Sequence, residues 1–101
     1  MARHNYRGTS RVVITGADQW SPPLWVRGAF SVSIPGTVVG VVRLQRSFDH
    51  DPATGTGTWL DANGWTTAWE SADRDYTGAW YRVGCPPGGH SSGTGTAIIV
   101  T

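Results

Sequence analysis

The chain has 101 residues, eight arginines and no lysine against seven acids, and a formal charge of +1. That length fits one domain, and a domain of this size buries about 60–65% of its unfolded surface. The even charge balance excludes the basic stripe that an electrostatic grip on nucleic acid needs. No apolar run approaches the roughly 20 residues of a membrane span.

Residues 1–10 read as an arm without apolar periodicity. Met1 to Arg11 holds no apolar stretch of the secretory kind, so synthesis in the cytoplasm is expected. Fourteen glycines and six prolines then punctuate short β-branched runs, the spacing of an all-β fold. Arg11 to Thr15 is a short strand. Gly16 to Pro23 is a loop that carries Trp20. Trp25 to Ile34 alternates, with Val26, Phe30, Val32 and Ile34 on one face and Arg27, Ser31 and Ser33 on the other, the period-2 mark of a half-buried strand.

Pro35-Gly36 turns the chain into a second long strand, Val38 to Phe48, with Val42 and Leu44 inward and Arg43 and Gln45 outward. Asp49 to Thr56 is a turn-rich loop. Gly57 to Asp61 returns as a strand, hairpin-paired with the one before. Asn63-Gly64 is a tight-turn signal, and Trp65 to Glu70 is a further strand. Ala72 to Thr77 is polar and turn-like. Ala79 to Cys85 alternates Ala79, Tyr81, Val83 and Cys85 against Trp80 and Arg82. Pro86 to Gly93 is a loop, and Thr94 to Val100 closes the domain. Gly-Thr-Gly-Thr occurs at Gly55–Thr58 and again at Gly93–Thr96; each run leads into a strand, and no helix follows that could turn it into a phosphate-cradling loop.

About seven antiparallel strands and no helix predict a single β-sandwich of immunoglobulin-like type over residues 11–101, with the N-terminal arm outside it. A small barrel or jelly roll is the alternative. Tyr81 fits a core or corner tyrosine.

Chemistry is thinly represented. His4, His50 and His90 have no nucleophile at motif spacing, and no serine lies in an elbow. The only glutamate is Glu70. Asp49, Asp51, Asp61 and Glu70 give no pattern of convergence for paired-carboxylate chemistry. Asp49-His50-Asp51, with Thr54 and Thr56, offers oxygen ligands for a hard cation, but the same residues make side-chain-capped turns. Cys85 is the only cysteine, which excludes an intrachain disulfide and a four-cysteine zinc site. The expectation is a non-enzyme with no cofactor and no resident metal.

The six tryptophans, Trp20, Trp25, Trp59, Trp65, Trp69 and Trp80, are more than so small a core is expected to hold. Each buried aromatic removes about 150–250 Å² from water. Trp25 shares its side of the strand with Arg27, and Trp80 shares its side with Arg82. Tryptophan beside arginine off the core face is the composition of a protein interface, and equally of a sugar-stacking platform. Trp59 and Trp69 fit the core best. The expected partner-binding residues are Arg3, Tyr6 and Arg7 in the arm, as a strand-adding tether, with Trp20, Trp25, Arg27, Trp80 and Arg82 on the domain.

Two resemblances rest on these residues. Ser47-Phe48-Asp49 followed by Gly57-Thr58-Trp59 resembles an Asp-box hairpin whose turn is expanded by Asp51 to Thr56; in that family the box is structural. More broadly, Phe30–Thr37 (FSVSIPGT), Val41–Asp49 (VVRLQRSFD), Gly57–Trp59 (GTW), Trp80–Val83 (WYRV) and Ser91–Thr94 (SSGT) are similar to small β-sandwich virion structural proteins of tailed bacteriophages. That resemblance implies a non-catalytic capsid decoration (cement) protein on the virion surface. It implies the major capsid protein as partner, with a homotrimer or other self-contacts on the shell, and neither nucleic acid nor membrane. A carbohydrate-binding module that uses exposed tryptophans, and a tail-associated immunoglobulin-like domain, are the alternatives.

Overall fold

The computed structural model describes residues 8–101. Among these there is no helix, and the strands are antiparallel throughout. They are β1 (Thr9–Ile14), β2 (Gln19–Trp20), β3 (Leu24–Ile34), β4 (Val38–Gly40), β5 (Val42–Ser47), β6 (Leu60–Trp65), β7 (Trp69–Cys85), β8 (His90–Gly93) and β9 (Gly95–Val100). One hydrogen-bonded path runs β1-β9-β3-β7-β5-β6, with β2 added to the end of β7, and β4 and β8 form a separate ribbon. β1 packs back against β2 and β7, so the curled sheet becomes two layers. The result is the expected antiparallel, sandwich-like all-β fold, with most strands on one continuous path.

The inward residues of the alternating strands meet in one core. Val26, Phe30, Val32 and Ile34 of β3 join Val42 and Leu44 of β5, Tyr81 and Val83 of β7, and Ala97 and Ile99 of β9. Burying each such large aliphatic contributes about 1.5–3 kcal/mol. Phe30 and Tyr81 touch at 4.8 Å between ring centroids. Cys85 is fully buried.

Several boundaries differ from the sequence reading. Residues 72–77 are not a turn but part of the 17-residue strand β7. Their polar character reflects a strand half that keeps solvent on its surface, and ladder pairing of Gly28–Ile34 with Asp75–Trp69 outweighs the local turn chemistry. The turn-like signal survives as a bulge: Val26 faces Ala79 and Gly28 faces Asp75, leaving Tyr76, Thr77 and Gly78 to loop out, with Gly78 at φ 90°.

Asn63-Gly64 lies inside β6. There Asn63 Oδ1 accepts the Gly64 N–H at 2.8 Å, next to a bulge in which Ala62 of β6 has no partner between the Leu44–Asn63 and Gln45–Asp61 pairs. The turn comes instead at residues 66–68, between the two tryptophans that the sequence placed in one strand. The second long strand breaks at Val41, whose N–H donates to the Gly89 carbonyl at 2.7 Å. Half of the Pro86–Gly93 loop is strand β8, paired with β4. β1 begins at Thr9, so the ordered ladder takes in two residues read as arm, and Ser10 Oγ donates to the Pro22 carbonyl.

Candidate functional site

The outward side of β7 alternates Trp80, Arg82 and Gly84, and its neighbours complete the rows. Trp80 faces Trp25 of β3 and Ser47 of β5; Arg82 faces Gln45; Gly84 faces Trp20 of β2 and Arg43. Among the described residues there is no helix to cover this face, and Trp25 is half-exposed on it.

Glycine at position 84 is required by the approach of β2. A Cβ there would collide with the Gln19 carbonyl and come within 2.8 Å of Trp20 Cα. β2 is held by Ser21, whose N–H donates to Val83 O at 2.8 Å while its Oγ accepts the Val83 N–H at 3.0 Å. The turn before it is closed by Gln19 Oε1, which accepts the N–H groups of Thr15 (2.6 Å) and Gly16 (3.1 Å). Trp20 Nε1 donates to Asp18 Oδ1 at 3.2 Å. These contacts lay the Trp20 ring over the Arg82 guanidinium, 4.3 Å from Cζ to ring centroid.

From the other side comes the segment 48–59. Asp49 Oδ1 accepts Ser47 Oγ–H at 2.9 Å and the Thr58 N–H at 2.7 Å. The Thr58 and Ser47 hydrogen bonds hold the Asp49 carboxyl below the ordinary carboxylate range. Asp51 Oδ1 caps the Ala53 N–H at 2.9 Å, and Asp51 N–H donates to Thr56 O at 2.8 Å. The two aspartates are thus engaged as turn caps, and the described residues contain no cluster of three or more metal-ligating side chains. The returning chain places Trp59 on Arg82 at 4.4 Å and packs His50 against Trp59 at 5.4 Å and Trp80 at 5.1 Å. Trp80 meets Trp25 edge to face at 5.7 Å.

The outcome is a continuous ladder, Trp20–Arg82–Trp59–His50–Trp80–Trp25, across the outer face. Arg82 is a cation between two indoles, each contact worth about 0.5–2 kcal/mol. Its Nε and Nη2 both donate to Gln45 Oε1, at 2.9 and 2.7 Å. Gln45 Nε2 in turn donates to Asp61 Oδ1 at 2.9 Å, and Asp61 Oδ2 pairs with Arg43 at 3.2 Å. Burial lowers the Arg82 pKa, opposed by the charge of Asp18.

Of the residues singled out in the sequence, Trp20, Trp25, Trp80 and Arg82 come together here. Arg27 is exposed on β3, next to the bulge, and is not in the ladder. Arg3, Tyr6 and Arg7 lie outside the described residues. Trp59 is not core: it is half-buried in the ladder, while Trp69 is half-exposed on β7. Sequence reasoning missed Trp59, His50 and Gln45 as members. The signal that could have found Trp59 is its place at the end of the S-x-D…G-T-W pattern, which returns the chain to β5. The chain matches no family, no curated protein and no solved structure.

Proposed function

We propose that this chain is a non-enzymatic protein-binding module, and that it acts as a capsid decoration protein on the outer shell of a tailed bacteriophage. One observation carries the binding reading: the ladder is assembled before any partner arrives. Arg82 fills the space between Trp20 and Trp59, His50 packs on Trp59 and Trp80, and Trp80 abuts Trp25. A sugar platform works through free ring faces against which a pyranose lies flat. Here neighbours occupy much of that ring surface, and only Trp25 of the row is as much as half-exposed. A rigid, largely apolar, arginine-centred surface instead suits a flat protein contact, where such residues act as anchors and little side-chain entropy remains to be lost.

The virion assignment rests on the resemblance of Phe30–Val100 to phage β-sandwich structural proteins, with the major capsid protein as partner. Copies repeated over a shell gain by avidity, so modest affinity at each site suffices. The arm residues Arg3, Tyr6 and Arg7 belong to the same proposal as a tether, and contacts between copies, as in a trimer, are its natural extension.

The test is to mix the purified chain with expanded, undecorated capsids and with isolated tails, and to measure by sedimentation the copies bound to each. Saturable high-copy binding to heads, weakened by Trp25→Ala, is the expected result. Binding to tails alone would replace decoration with a tail role. No binding to either, together with tryptophan quenching by oligosaccharides, would overturn the reading in favour of a sugar-binding module.

A further inference from the structure

The proposed function leaves the chemistry of the partner open, and Arg82 narrows it. We propose that the Trp20–Arg82–Trp59 clamp is a receptor for a carboxylate side chain of an acidic protein segment. The inference rests on the reading of this face as a protein contact.

Three observations carry it. First, among the described residues Arg82 is a half-buried cation without an ion pair. Arg43 takes the Asp61 carboxylate at 3.2 Å, while Arg82 receives only the neutral Gln45 amide oxygen. Asp18, the acid that acts on it electrostatically, has its Oδ1 engaged by Trp20 Nε1. A partly desolvated charge gains most from an opposite charge brought in under exclusion of water.

Second, the guanidinium is fixed. Two indole rings at 4.3 and 4.4 Å and two hydrogen bonds to one acceptor define its plane. Nη1 is the group left over: among the described residues it has no hydrogen-bond partner, and it is not fully enclosed. A guanidinium whose orientation is already set loses little freedom on meeting a carboxylate.

Third, the surroundings favour an acid with apolar neighbours over a free anion. Beyond Trp59, His50, Trp80 and Trp25 continue the row, so the site is a single cation flanked by Trp20 on one side and an aromatic strip on the other. A phosphate cluster needs several converging cations, and among the described residues Arg82 is the only arginine stacked on Trp20 or Trp59. An Asp or Glu followed by apolar side chains matches the strip.

The experiment follows the nitrogen-15 resonances of Arg82 Nε and of the Trp20 and Trp59 indoles in the full chain. The titrants are N-acetyl-tetraglutamate amide, the tetraglutamine analogue and tetralysine. Saturable shifts at all three groups with the glutamate peptide alone, weakened at least tenfold by 0.5 M salt and lost in Arg82→Met, are expected. Arg82→Lys keeps the charge but not the stacked plane, and is expected to bind at least fivefold more weakly; it also serves if Arg82→Met fails to fold. Arg11→Gln, on β1, is expected to behave as wild type. Equal shifts with tetraglutamine, or glutamate-specific shifts that persist in both Arg82 variants, would overturn the inference.

The two proposals fail separately. Wild type that coats capsids while Arg82→Lys coats them equally, with no glutamate-specific shift, sinks the carboxylate receptor alone. A glutamate-specific, Arg82-dependent shift in a chain that ignores capsids supports the receptor and sinks the capsid reading.

Discussion

Trp25 and Trp80 stand directly opposite each other across β3 and β7, with ring centroids 5.7 Å apart and planes at 69°. They differ in what else they touch. Trp80 also packs on His50, whereas Trp25 lies half-exposed over Gly78, where a Cβ would come within 2.6 Å of its Cζ2. The pair therefore separates stability from binding. Trp80→Ala removes the ring that links the loop to the sheet, and is expected to cost about 2–3 kcal/mol. At about 4–8 °C per kcal/mol for a domain of this size, that loss is read directly in Tm. Trp25→Ala is expected to cost only about 1 kcal/mol while weakening partner binding at least as much as Trp80→Ala does.

Gly84 makes a second test, because its role is to let β2 come close. Gly84→Ala places a methyl group against the Gln19 carbonyl, so β2 must retreat and take Trp20 off Arg82. A cost of about 1–3 kcal/mol is expected, the range for overpacking a well-filled site. The diagnostic change is spectroscopic: near-ultraviolet circular dichroism and the ring-current shifts of the Arg82 side chain should fall. A variant that keeps both signals would show that β2 tolerates the methyl group where it is.

Much of this was legible beforehand. The strict alternation of Trp25–Ile34 and Ala79–Cys85 assigns Val26, Phe30, Tyr81 and Val83 to the core and Trp25, Trp80 and Arg82 to the other face, because side chains alternate across a pleated strand. What alternation cannot give is which strands are neighbours. That Trp20 lies over Arg82 depends on β2 joining the end of β7. That Trp59 does so depends on a twelve-residue excursion, 48–59, that returns to β5. Both are long-range facts without a local signature. The stretch Ala72–Thr77 misled for the opposite reason: its Asp and Thr residues carry real turn chemistry, but that chemistry is used inside a bulge, not at a strand end.

That bulge gives the pH dependence. Asp75 is buried, and its carboxylate accepts the Tyr81 hydroxyl at 2.7 Å, the Gly78 N–H at 2.8 Å and the Thr77 N–H and Oγ–H at 3.0 and 3.2 Å. Burial alone would raise its pKa; the donors outweigh burial and leave it below the ordinary value. Its ionised form is thus favoured by folding, a contribution present above about pH 4 and lost as pH falls through the lowered pKa. Tyr81 is its mirror image: burial, then the bond to Asp75, pushes the phenol up to about 12. The folded state holds that proton, so its contribution is intact below about pH 10 and is lost as pH rises towards 12. Asp75→Ala is expected to cost about 2–4 kcal/mol, since it strands buried donors. Tyr81→Phe should be milder and should flatten the alkaline limb of the stability profile, measured by urea unfolding from pH 8 to 12. An unchanged alkaline limb in Tyr81→Phe would assign that limb to other groups.

Asp49 tests whether the loop and the ladder are one unit. Its carboxylate ties Ser47, at the end of β5, to Thr58, the residue before Trp59. The Asp49 side chain is exposed, so Asp49→Ala should lower Tm less than Trp80→Ala does. It should instead release the segment 48–59, and with it both the Trp59–Arg82 and the His50–Trp80 contacts. The expected signature is local: faster amide exchange across residues 50–59, greater acrylamide quenching of one tryptophan, and weaker partner binding, with the rest of the domain still folded. Because the Ser47 and Thr58 hydrogen bonds act on the ionised carboxylate, the same loosening should appear in wild type as pH falls through the lowered Asp49 pKa, and not at neutral pH. Acid loosening in Asp49→Ala identical to that of wild type would place the responsible carboxylate elsewhere.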